Sequence, residues 1–277
     1  MNVWNIVDSS LVNEDREYQE NRKAKDSWWP SEALGCRRRA YYDLTIGRDQ
    51  GKAMDILGLY RTKAGNVLHS WFFAAVANSG AFDWVEEEWA FRTPVDGLEM
   101  PVSGRQDVRG QLKGSSTVTV IDLKTSFGQN IRNIRQAGWR AIHPHYLGQM
   151  LCYLAFGSAD EVILAFLGRD DQYRCQFTLT LDDDGRVVVD GNRSRVSVES
   201  VVGRWQDAEK ALQEKNAPER DFRAAIRDGE IVRFFQRQGK KFASDWQCRY
   251  CPYNEHCWAD DLAKYRSGVN QEAFNDV

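Results

Sequence analysis

Apolar residues recur at helical spacing over residues 59–77, where Leu68, Trp71, Phe72 and Ala75 share one stripe, so a helix is expected there. A second apolar helix fits residues 145–156. Between them the pattern changes to strands at 85–92, 102–112 and 117–125, the last two flanking Lys113-Gly114-Ser115-Ser116, a hairpin signal. Three more strands are expected at 161–167, 174–181 and 186–189, then charged helices at 198–215 and 219–227. Residues 11–25 read as a polar surface helix or a loose arm. Pro30-Ser31-Glu32 opens a helix through Tyr42, with Ser31 as its N-cap. A basic, Gly-containing stretch fills 128–140, and the C-terminal segment is short and turn-rich. This order implies an α/β sandwich on a mixed sheet rather than a regular βαβ winding.

A length of 277 residues allows one large domain, or one with a small accessory lobe. The net charge of −3 argues against a protein that simply coats nucleic acid, yet an enzyme gripping a few phosphates needs only local positive charge. No apolar run approaches the roughly 20 residues of a membrane span. The N-terminus lacks a basic segment followed by an apolar one, so a cytoplasmic location is expected. Neither a GxGxxG turn nor a Walker lysine loop is present, which disfavours those nucleotide-binding enzymes.

The sharpest chemical signal is Gly104-Arg105-Gln106-Asp107 followed by Ile121-Asp122-Leu123-Lys124. Residues two apart on a strand share a face, so Asp122 and Lys124 project together. Closing the hairpin about Gly114 and Ser115 brings Asp107 roughly opposite Asp122. Two carboxylates that close repel unless a cation lies between them. Oxygen ligands of this kind suit Mg2+ or Mn2+, and the lysine can orient water and stabilise charge on a phosphate. The bland reading, an ordinary cross-strand ion pair, is weakened by the buried character of Val118-Thr119-Val120-Ile121 leading into the pair. His69 lies within the first apolar helix. Gln149 and Tyr153 stand at i,i+4 on the second, with His145 one turn earlier on the same stripe.

Cys248 and Cys251 form a C-x-x-C pair, and Cys257 follows in an aromatic, turn-rich segment. Clustered cysteines in a reducing compartment more often bind metal than form disulfides. Cys36 is the natural fourth ligand, because Cys152 and Cys175 sit in apolar patterns and read as core thiols. Four cysteines serve zinc and iron–sulfur sites alike, so spacing leaves the metal open. Such a site would close a loop of roughly 210 residues, a structural staple worth a few kcal/mol by analogy with disulfides. Arg37, Arg38 and Arg39, beside Cys36, are either a solvated helix face or part of a nucleic-acid entrance. Arg132, Arg135 and Arg140 fall where substrate phosphates would pass.

The ordered set His69, Asp107, Asp122 with Lys124, and Gln149 with Tyr153 resembles the RecB-like branch of the PD-(D/E)XK nucleases. That branch orders a helix histidine, G-x-x-D, D/E-x-K and Q-x-x-x-Y; the aspartate here stands where many relatives carry glutamate. One distant N-terminal cysteine plus C-x2-C-x5-C, with the phrase Gly35-Cys36-Arg37-Arg38-Arg39-Ala40-Tyr41-Tyr42, is similar to its iron–sulfur members, the AddB-type subunits and the Cas-four exonucleases. The likeness spans about residues 28–260. It implies a restriction-endonuclease-like mixed sheet flanked by helices, its N- and C-terminal segments joined by a four-cysteine metal cluster. The implied organisation is an arm (1–27) and one nuclease domain (28–277) whose iron–sulfur lobe comes from 28–45 and 240–262.

The resemblance further implies that His69, Asp107, Asp122 and the Leu123 carbonyl hold Mg2+ or Mn2+. Lys124 would be the catalytic lysine, with Gln149 and Tyr153 supporting it and contacting DNA. Cys36, Cys248, Cys251 and Cys257 would hold a 4Fe-4S cluster, with zinc as the alternative. The implied activity is a DNA exonuclease acting on single-stranded or free-ended DNA in recombination, repair or CRISPR adaptation, within a complex that supplies a protein partner. The alternative is a non-catalytic iron–sulfur DNA-binding or assembly subunit of such a complex.

Overall fold

The computed structural model of the chain describes residues 2–21, 25–47, 52–227, 230–237 and 240–266. Residues 22–24 of the expected arm and 267–277 of the expected nuclease domain lie outside them. The chain divides into two compact units, one of residues 1–25, 35–59 and 207–277, the other of 26–34 and 60–206.

The second unit is built on a seven-stranded sheet: β1 (Phe82–Thr93), β2 (Val102–Leu112), β3 (Val118–Ser126), β4 (Glu161–Gly168), β5 (Arg174–Leu181), β6 (Arg186–Val189) and β7 (Asn192–Ser197). The strands lie in chain order. Every neighbouring pair is antiparallel except β3 and β4, so the sheet is mixed and mostly antiparallel. The parallel step needs a crossover, and α4 (Gly128–Ala137) and α5 (Pro144–Ala155) supply it.

Residues 120–123 of β3 are all buried, because helices cover both faces of the strand. Ile121 and Leu123 pack with Phe73 of α3 (Ile56–Ala77), Val108 and Leu167. On the face carrying Asp122 and Lys124 lies α5, with Leu147, Met150, Leu151 and Leu154 buried. The hairpin turn closes through Ser115 N–H to the Leu112 carbonyl at 2.9 Å, with Gly114 at φ +77°, a conformation that favours glycine.

Several expected elements differ. The helix foreseen from Pro30 to Tyr42 is interrupted. Pro30–Glu32 is a single 3-10 turn, Ser31 is not an N-cap, and the true helix, α2 (Arg37–Thr45), starts after Cys36. The segment before Gly35 is held along the sheet, Trp28 N–H reaching the Pro101 carbonyl and Ser103 N–H the Trp28 carbonyl. Most of the stretch 128–140 is helical, as α4 followed by a 3-10 turn over Gly138–Ala141, because Ile131 is fully buried and Asp170 caps the Gly128 amide at 2.7 Å. Strand β7 was masked by its polar sequence, although Ser194 and Val196 alternate inward. No helix forms at 219–227, where Arg220 and Asp221 are drawn into ion pairs and 225–227 form a strand.

The first unit contains α1 (Val3–Glu20), which begins at Val3 rather than near residue 11 and has no buried residue. It also holds α2 and the later part of α6 (Val198–Gln213). Two small hairpins follow, β8 (Ala225–Arg227) with β9 (Glu230–Val232) and β10 (Phe234–Arg237) with β11 (Lys240–Ala243). The chain then forms α7 (Trp246–Arg249), α8 (Asn254–Cys257) and α9 (Ala259–Arg266). Ala224, Ile226, Trp258 and Leu262 make its core, with Cys248 and Cys257 against it. Among the described residues no helix is long and apolar enough to cross a membrane.

Candidate active site

The β2–β3 ladder runs from Gln111 opposite Val118 to Val108 opposite Ile121 and stops there. Asp107 and Asp122 are the next residues on the two strands, so both stand where the strands part. Asp107 Oδ2 accepts a long hydrogen bond from the Leu123 amide at 3.4 Å and lies 3.8 Å from His69 Nδ1 on α3. Asp122 is fully buried; its Oδ1 faces Lys124 Nζ at 2.7 Å, while its Oδ2 has no hydrogen-bond partner.

Lys124 anchors a relay of side chains. Its ammonium donates to Gln149 Oε1 at 2.9 Å, Gln149 Nε2 donates to Tyr153 Oη at 2.8 Å, and Tyr153 Oη donates to the Arg105 carbonyl at 3.0 Å. The i,i+4 spacing of Gln149 and Tyr153 places both on the face of α5 turned to β2 and β3. Tyr146, one turn before Gln149, presents its ring 5.3 Å from Lys124 Nζ, a cation–π approach. The same helical spacing could have exposed Tyr146 in the sequence.

Electrostatics follow from this crowding. Burial, then the neighbouring charge of Asp122, pushes Asp107 up to about 7 against the opposing Lys124. Burial pulls Lys124 down, but Asp122 and Asp107 outweigh it and the net shift is upward. Burial lowers His69, which keeps its imidazole neutral and able to donate a lone pair. His145, expected on the Gln149 stripe, is instead turned to His143, the two Nδ1 atoms 2.5 Å apart.

Would a divalent cation suit these residues? A fully buried carboxylate oxygen without a partner, beside a second carboxylate and a neutral imidazole, is the donor set such an ion takes. Among the described residues no three His, Cys, Asp or Glu side chains stand as a preformed ion cage, here or elsewhere.

The arginines divide. Arg132 is paired with Asp171 at 2.6 Å and lies over the Tyr173 ring, whereas Arg135 and Arg140 are exposed. Phe127, which the sequence did not single out, is 56% exposed directly after β3, with Arg169 over its ring at 5.3 Å.

In the first unit, Cys36, Cys248, Cys251 and Cys257 line one pocket closed on one side by Trp258. Burial raises the Cys36 thiol and pushes Cys248 up to about 12 and Cys251 to about 11, and the mutual proximity of the four sulfurs adds to the last two. Four thiols lining one pocket are the donor set of a thiolate metal centre, and among the described residues no three of them stand as a preformed cage. Cys152 is buried and Cys175 half-buried, both apart from this pocket.

The fold and the fork between β2 and β3 together define a mixed α/β sheet flanked by helices, with an acid–lysine cluster at a strand opening. No protein-family model and no curated protein matches the chain. Among solved structures it is similar in fold to SSO0001, with a TM-score of 0.51, 18% identity, and coverage of 91% of this chain and 96% of that one. A more distant likeness is to an alkaline exonuclease, LHK-Exo, from Laribacter hongkongensis (TM-score 0.46, 13% identity, 69% of this chain and 90% of that one). The same exonuclease in complex with dAMP gives 0.41 and 12%, over 69% and 89%.

Proposed function

We propose that this chain is a Mg2+- or Mn2+-dependent deoxyribonuclease that hydrolyses DNA phosphodiester bonds, with an exonucleolytic preference for single-stranded ends. The observation that carries the reading is Asp122, fully buried with one oxygen unpartnered, flanked by Asp107 and Lys124 where β2 and β3 part. Asp107, Asp122, His69 and the Leu123 carbonyl hold the ion. When bound, the ion acidifies water and polarises the scissile phosphate.

The chain's own groups do the rest. Gln149 and Tyr153 fix the direction of the Lys124 ammonium, which orients the incoming water and stabilises negative charge growing on the phosphate oxygens. Tyr146 limits the freedom of that ammonium from the other side. Arg135 and Arg140 are placed to meet backbone phosphates. Phe127, backed by Arg169, offers the exposed aromatic face on which an unpaired base stacks, which supports the single-strand preference. Cys36, Cys248, Cys251 and Cys257 hold a 4Fe-4S cluster, with zinc as the alternative.

The test is digestion of end-labelled single- and double-stranded DNA with Mn2+ and EDTA controls, for the wild type, Lys124→Ala and Asp122→Ala. Both variants are expected to bind DNA without cutting it. Wild-type rates from Lys124→Ala would remove the assigned site.

A further inference from the structure

Beside the four sulfurs stand groups with no part in the proposed hydrolysis. Arg38 Nη1 is 4.0 Å from Cys257 Sγ, its Nε anchored on the Pro218 carbonyl. Arg39 lines the same pocket as Cys36, Cys248, Cys251 and Cys257. Burial raises the Cys36 thiol, and the first-turn amides of Arg39 and Arg38 in α2 oppose that rise. Arg37 is turned elsewhere, paired with Asp221 and Asp207, and Arg220 is committed to Asp261 and the Cys257 carbonyl.

Asn254 sits between Cys251 and Cys257 in sequence, is 8% exposed, lines the same pocket, and has a buried Oδ1 with no hydrogen-bond partner. A buried, unpartnered amide oxygen is unfavourable and calls for a partner inside the pocket. A half-turn of the amide exchanges acceptor for donor. Asn254 can therefore accept from a protonated thiol, or donate to a sulfur that carries negative charge.

We infer that Arg39, Arg38 and Asn254 are positioning residues of the four-sulfur site, tuning its charge rather than its assembly, so that they favour the more negative, one-electron-reduced form of a bound cluster. This rests on the iron–sulfur reading of the pocket. Reduction adds one negative charge to a site walled by the apolar Trp258 and Phe222. In such surroundings a nearby guanidinium and an N–H donor stabilise the added charge, the levers that set cluster potentials.

The full chain, purified anaerobically, is analysed for iron and acid-labile sulfide. It is then titrated with dithionite, which gives one electron per cluster, while absorbance is followed against redox mediators. Arg39→Gln and Asn254→Asp are each expected to keep full iron while shifting the one-electron equilibrium about tenfold toward the oxidised form, or about 59 mV lower. Arg39→Lys, which keeps the charge, is expected to stay near the wild-type potential. Unchanged potentials in Arg39→Gln and Asn254→Asp overturn the inference, as does loss of iron from either Arg39 variant, which assigns the residue to assembly. Zinc without sulfide in the wild type defeats the cluster reading itself and the inference with it, so metal analysis separates the two failures.

Discussion

Among the described residues, the cation paired with Asp122 is the Lys124 ammonium. Lys124→Met leaves a buried carboxylate uncompensated, so the ion-free variant is expected to lose about 3–5 kcal/mol in urea denaturation. Mn2+ is expected to restore more stability to this variant than to the wild type. A second consequence concerns Asp107, whose folded-state pKa of about 7 lies above the ordinary value of 3.8. Folding then favours the protonated form, so this group's contribution to the stability of the ion-free protein is fully present below about pH 4 and is lost as pH rises through about 7. A divalent ion held by Asp107, as proposed, would bind the ionised form and reverse the trend. Stabilisation by Mn2+ is therefore expected to grow between about pH 5 and pH 8, read as the difference in melting temperature with and without the ion. A pH-independent difference would place the ion elsewhere. Asp107, Asp122, Lys124, Gln149 and Tyr153 were legible as neighbours because strand and helix periodicities act over a few residues. The inward turn of Arg37 was not, because its partner Asp221 lies 184 residues away.

At the scale of elements, α4 changes how the basic stretch between β3 and α5 is understood. The sequence offered three arginines in one basic stretch; in the structure Arg132 on α4 is spent on Asp171 and Tyr173, while Arg135 on α4 and Arg140 on the 3-10 turn after it are exposed. Arg132→Ala is expected to cost roughly 1 kcal/mol of stability with little change in the salt dependence of DNA binding. Arg135→Ala and Arg140→Ala are each expected to leave stability alone and reduce the slope of log affinity against log salt by about one. Equal effects from all three would mean that Arg132 meets phosphate as freely as Arg135 and Arg140. The helix itself was hard to foresee because its cap comes from Asp170, a residue beyond β4. The hairpin from β2 to β3 was readable, since its turn and both flanking patterns are local. The strand at 225–227 was not, because charge-rich sequence there suits a helix until ion pairs to distant residues claim it.

For the whole molecule, the four cysteines line one pocket in a unit assembled from separate stretches of sequence. If they hold metal as proposed, its removal by acid and chelator is expected to speed amide hydrogen exchange at 35–47, 52–59 and 240–262 while 102–126 and 144–168 keep their protection. Uniform loosening of both sets would show that the pocket supports the entire chain. The discontinuity of that unit also bears on the order in which the chain matures on the ribosome. Every residue of the sheet-bearing unit has been translated once Gln206 is added, whereas the fourth pocket thiol, Cys257, arrives later. On the proposed metal site, Cys36 would wait, reduced and unligated, until Cys257 has emerged about 220 residues later, and the nascent chain is most exposed to oxidation in that interval.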